Sequence, residues 1–124
     1  MNRIILLIIC TILILGACSS NHDKQFDSSV IDQNLENIVS NTKVSKSSNP
    51  MDYISENQEL YDEIINTGNQ GFTYLKNKLK ESPTNGLTEW IIAKACDDIL
   101  KDKKVDVQWE SGKDWLNKYE LMNK

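Results

Sequence analysis

Ser111-Gly112-Lys113 has the ending of a phosphate-cradling loop, and it is the first place in this chain where residue type and spacing suggest a reaction. Such a loop needs glycine five positions before its second glycine and Ser or Thr after the lysine. Val107 and Asp114 stand there instead, so the triplet reads better as a helix start, with Ser111 accepting the amide of Asp114. Asp97, Asp98, Asp102 and Asp106 supply carboxylates for a cation, yet Lys101, Lys103 and Lys104 intrude and no EF-hand order of ligands is present. They read as a solvated helix end. Asp62-Glu63 is the acid pair that a glycosidase would require, but adjacent carboxylates on an exposed helix face need no such role. Cys96 falls on an apolar helix stripe without a neighbouring base, which makes it a core thiol. The single histidine, His22, lies far from all of these, so neither a histidine-based triad nor a multi-histidine zinc site can be assembled. The residues call for no cofactor and no metal.

Those residues must be positioned by a short chain of 124 residues carrying 14 basic and 18 acidic side chains, a net charge of -4. Asn2-Arg3 precedes an aliphatic run from Ile4 to Leu15 broken only by Cys10 and Thr11, the arrangement of an export signal. The run is shorter than the roughly 20 apolar residues that cross a bilayer as a helix. It ends in Leu15-Gly16-Ala17-Cys18, which resembles the lipobox of bacterial lipoproteins. The resemblance implies cleavage between Ala17 and Cys18, a diacylglycerol thioether on Cys18, and a location at the cell membrane, lipid-anchored on the extracytoplasmic face. Removing residues 1–17 takes away Arg3 and no acid, so the mature charge is one unit more negative than that of the whole chain. Nucleic acid is therefore excluded as a partner, since it requires basic patches. About 107 residues remain, enough for one small domain. With Cys18 acylated and Cys10 removed, Cys96 has no partner for an intramolecular disulfide.

From Ser19 to Ser48 the chain is rich in Ser, Asn, Asp, Gln and Lys, so residues 18–48 read as a lipidated cysteine followed by a disordered polar tether. Phe26, Val30, Ile31, Leu35, Ile38 and Val39 nevertheless approximate a helical stripe, which leaves a transient or partner-induced helix open there. Asn49-Pro50 opens the folded part, residues 49–124, because proline suits a first helical turn. Helices are predicted over Glu56–Asn66, stopped by Gly68, and over Asn69–Glu81, stopped before Pro83. A third, Leu87–Leu100, carries two apolar rows, Leu87, Ile91, Ala95, Ile99 and Ile92, Cys96, Leu100. The fourth follows Ser111 and presents Trp115, Tyr119 and Met122. Val105–Trp109 alternates like a strand but has no second strand to pair with, so it reads as a connector with Trp109 turned inward. Trp90 and Tyr74 lie beside the main stripes of their helices, and each is a candidate binding surface.

Asn49-Pro50-Met51-Asp52-Tyr53, Tyr61-Asp62-Glu63-Ile64, Gly86-Leu87-Thr88-Glu89-Trp90 and Trp109-Glu110-Ser111-Gly112-Lys113-Asp114-Trp115 together resemble a group of small, uncharacterised helical proteins of Gram-positive bacteria, some of them lipoproteins. That resemblance covers about residues 49 to 120. It implies an all-α fold, a small bundle of about four helices with HEAT-like helical hairpins, preceded by signal peptide and tether, and it implies no activity. Gly71-Phe72-Thr73 departs from the Ala-Leu-Pro found at the corresponding place in many such sequences. The expectation is a non-enzymatic module on the membrane that binds a protein or peptide. Two other classes stay open: an envelope enzyme or ligand-binding accessory using Asp and Glu residues, and a protective, immunity-like lipoprotein.

Overall fold

A computed structural model describes residues 25–124. The expected signal segment, the expected cleavage junction between Ala17 and Cys18, and His22 lie outside the described residues. Within them the chain is all-helical: α1 (Ser28–Val39), α2 (Pro50–Glu56), α3 (Gln58–Ile65), α4 (Gly68–Glu81), α5 (Leu87–Leu100) and α6 (Gly112–Met122), with a 3-10 turn at Lys101–Lys103. No strand is assigned among the described residues, and no helix there is long and apolar enough to cross a membrane.

The largest departure from the sequence reading is α1. From Ser28 onward the expected tether is part of the domain, because Ile31, Leu35 and Ile38 fall on one face and are buried in the common core. Asp27 caps the helix by accepting the amide of Ser29 at 2.9 Å. Asn34 is buried on the same face, and its amide donates to the Leu60 carbonyl at 3.2 Å and to Glu63 Oε2 at 2.8 Å. These bonds stitch α1 to α3. The stripe noted in the sequence is real, and three of its aliphatic side chains suffice to anchor the helix despite the polar average over residues 19–48. The boundary at Asn49 therefore moves toward the N-terminus, and the described residues form six helices where about four were expected.

Pro50 stands in a first turn as expected, and Asn49 caps that helix, α2, by accepting the amide of Met51 at 3.1 Å. The helix expected over Glu56–Asn66 is α3, which starts at Gln58; α2 precedes it as an additional helix, and Asn57 breaks the two apart. Its side chain donates to the Tyr53 carbonyl at 2.8 Å and accepts from Asn41 at 2.9 Å, competing with the helical ladder. Gly68 adopts φ +61, a conformation that disfavours other residues, and it lets α4 begin almost where α3 ends.

α5 is the centre of the bundle and touches every other helix. Its two rows behave as read: Ile91, Ala95, Ile92 and Cys96 are buried, with Leu87, Ile99 and Leu100 half-buried at the edges. Cys96 is fully enclosed, and burial pushes its thiol above the usual range. Asp97 corrects the expectation of a solvated acidic end, since it is buried and accepts from the Val105 amide and from Trp115 Nε1, both at 2.9 Å. Asp98 behaves differently. It stays half-exposed, pairs with Lys94 and accepts from the Tyr61 hydroxyl at 2.8 Å. Trp115, from α6, is fully buried and stacks on Tyr119 at 5.2 Å.

Candidate functional site

Trp90 and Trp109 meet on the surface, ring centroids 5.2 Å apart, and each is half-buried. Beside them lies a cleft of about 350 Å³ whose apolar side is formed by Pro50, Tyr53, Leu87 and Trp90. Its polar rim comes from Ser47, Ser48, Asn85, Glu110 and Ser111. Helices α2, α5 and α6 all begin at this rim, so the positions of three helix starts define its shape.

Each start is held by side chains that local sequence placed there. Glu89, one turn into α5, is buried and gathers the preceding loop: the Ser82 and Thr84 hydroxyls donate to Oε1, and the Gly86 amide donates to Oε2 at 2.8 Å. Burial alone would raise this carboxyl, but the hydrogen bonds from Ser82, Thr84 and Gly86 outweigh it and lower the pKa to about 2. The Ser111 hydroxyl accepts the Asp114 amide at 3.2 Å, as its spacing predicts, and accepts Asn85 Nδ2 at 3.0 Å. Asn85 Oδ1 in turn accepts the Lys113 amide at 3.0 Å. Asp114 completes the cap by accepting the Glu110 amide at 3.0 Å, and its pKa is lowered chiefly by the hydrogen bond from Lys118 and next by that amide.

Gly112 and Lys113, read against a phosphate loop, have structural tasks here. A Cβ on Gly112 would sit 2.4 Å from the Glu89 carbonyl oxygen, so only glycine lets α6 approach α5 this closely. The Lys113 ammonium donates to the carbonyls of Leu79 and Ser82, the latter at 2.8 Å, and so closes the C-terminus of α4. The loop from Ser82 to Gly86 is thus fixed from both sides.

Tyr74 belongs to a different face. Its hydroxyl donates to Asp32 at 2.7 Å, Lys78 pairs with the same carboxylate at 3.0 Å, and Phe26 meets the ring edge-on at 6.3 Å. That hydrogen bond to Asp32, then burial, raises the pKa of the phenol. Two shallow clefts of about 520 and 600 Å³ flank Phe26, the first bordered by Tyr74 and the second by Val30 and Glu63. Tyr74 and Trp90 therefore do not form one surface. Asp62 and Glu63 are exposed, and they are engaged separately, Asp62 by Gln58 at 2.8 Å and Glu63 by Asn34. Among the described residues no group of three His, Cys, Asp or Glu side chains is arranged to hold a metal.

Glu89, Asp97, Lys113 and Asn34 were not singled out by sequence reasoning for the roles they hold. For Glu89 a signal existed, since it stands three residues after Gly86 and just beyond Ser82 and Thr84, but glycine at the cap conceals the capping-box pattern. Asp97 stands four residues after buried Ala93, a third row of α5 that hydrophobicity alone does not mark. Comparison of the chain with protein families, curated proteins and solved structures finds no match.

Proposed function

We propose that this chain is a lipoprotein of the extracytoplasmic membrane face, anchored through acylated Cys18, whose helical domain is a non-enzymatic binding module for a peptide or protein segment. The observation that supports the binding reading is the cleft beside Trp90, where apolar side chains from α2 and α5 meet a rim of hydroxyl, amide and carboxylate groups. An extended segment fits such a surface, an apolar side chain resting on Trp90 and Leu87 while its backbone meets the rim. The stretches that resemble the helical proteins of Gram-positive bacteria converge there: Pro50 and Tyr53 come from the first, Gly86, Leu87 and Trp90 from another, Glu110 and Ser111 from the last. On this reading the consecutive pairs α4–α5 and α5–α6, the most extensively packed in the domain, are the HEAT-like hairpins.

Two variants test the two halves. Cys18→Ser is expected to leave an uncleaved precursor that washes from membranes, because one thioether-linked pair of acyl chains supplies the anchor; normal processing and full retention would remove the lipoprotein reading. For the cleft, peptides selected by display against the domain are expected to lose at least tenfold in affinity for Trp90→Ala, with the fold retained by circular dichroism. Selected peptides that bind both proteins equally would displace the site from Trp90. Turnover of an envelope substrate that vanishes in Asp62→Asn, Glu63→Gln would replace the module by an enzyme.

A further inference from the structure

We infer that the domain rides directly on the bilayer, with the Phe26 end facing the lipid headgroups and the Trp90 cleft facing away from the membrane. This inference rests on the reading that Cys18 carries the lipid. Its structural ground is that Phe26, near the start of the described residues, is half-buried against the core, and that Asp27 caps α1. Seven residues, Ser19 to Gln25, separate Cys18 from Phe26. Whatever their conformation, eight steps of chain reach at most about 28 Å at about 3.3–3.6 Å each. A domain of 100 residues has a radius of gyration of about 13 Å, hence a diameter of about 34 Å for a sphere, so such a leash is shorter than the body it holds. The domain cannot turn over freely.

α4 sets the direction. Gln70, Thr73 and Tyr74, in its first half, border the clefts around Phe26. Asn85 and Gly86, just past its C-terminal end, border the Trp90 cleft. Fourteen helical residues separate the two ends by about 20 Å at 1.5 Å per residue. The Phe26 face also has the chemistry of a headgroup contact. Phe26 and Val30, the latter 41% exposed, supply apolar surface, while Gln25, Asn66, Asn69 and Gln70 offer amide donors to phosphate and ester oxygens. Its lining includes Asp27 and Glu63 and no basic residue, so it fits a zwitterionic headgroup layer and does not depend on anionic lipid.

The test uses the mature lipidated protein in phosphatidylcholine vesicles containing a small fraction of headgroup-labelled acceptor lipid. Donor dyes are placed singly through Gln70→Cys or Glu110→Cys, Cys96 being enclosed and unreactive in the folded protein. With a Förster radius of about 25 Å, matched to the length of α4, transfer from position 70 is expected to exceed that from position 110 severalfold. Inserting twenty Gly/Ser residues after Ser20 is expected to equalise the two. Equal transfer from both positions in the uninserted, vesicle-bound protein overturns the orientation. So does transfer from position 70 that arises only when anionic lipid is added. Protein that fails to bind vesicles and shows no acyl mass on Cys18 overturns the anchoring reading instead.

Discussion

Trp115→Ala is expected to cost about 3–5 kcal/mol of folding free energy, the range for deleting a fully buried large aromatic. Small domains have only about 5–15 kcal/mol in total, so this single substitution removes about a third or more of the stability of a typical one. The residue does two jobs that substitution can separate. Its ring fills the space between α5 and α6 and stacks on Tyr119, and its indole N–H is one of two donors to the buried Asp97 carboxylate. Trp115→Phe keeps most of the ring and removes the donor, so about 2–3 kcal/mol should be lost, combining a smaller cavity with a carboxylate left one bond short. Denaturant unfolding of Trp115→Phe, Asp97→Asn and the double variant measures the coupling, expected at about 1–2 kcal/mol. A coupling near zero would show that Trp115 acts by volume alone.

Glu89→Gln is expected to flatten the acid limb of the stability curve. The carboxyl titrates near 2 in the folded domain against an ordinary value of 4.5, so its contribution is fully present above about pH 4.5 and is lost as pH falls toward 2. The shift corresponds to about 3 kcal/mol at neutral pH. In the glutamine variant one amide N–H must face donors in place of a carboxylate oxygen, so neutral-pH stability falls by a similar amount and that part of the acid dependence disappears. Asp114 is also lowered and shapes the same limb, but it is present in both proteins and cancels in the difference. Urea midpoints for the two proteins between pH 2 and 7 decide the matter; parallel curves would mean that the Ser82–Gly86 loop is not held by the ionised carboxylate. Because that loop borders the Trp90 cleft, affinity for cleft-binding peptides should fall over the same pH window.

What could be read from the chain is what neighbouring residues decide among themselves. The two rows of α5, the Asn49-Pro50 start and the Ser111 cap depend on spacings of three or four positions, and each appears as spaced. Features that depend on distant partners were opaque. α1 showed its stripe in the sequence but not that it would be stably packed, which takes α3 and α5 to bury its three aliphatic residues, and the break at Asn57 depends on Asn41 reaching across from the preceding loop. Asp97 is the clearest case. In sequence it is one acid among four near a helix end, and only the arrival of Trp115, 18 residues later, makes a buried carboxylate tolerable. The candidate site was legible in part: Trp90 stood out beside its stripe, but the cleft around it is made by three helix starts that no local pattern links.

The central position of α5 also bears on the order of events during synthesis. α1, α3 and α4 all turn apolar surface toward a helix that lies after them in the chain. Until residues 87–100 have been made, those earlier segments have only each other, without the surface on which they share a core. On the proposed lipoprotein reading this delay is useful, because a translocation channel accepts an unfolded chain, and the residues before α5 would engage it before the scaffold that folds them exists. Closure then comes late and from the C-terminal side, when Lys113 caps α4 and Trp115 covers Asp97.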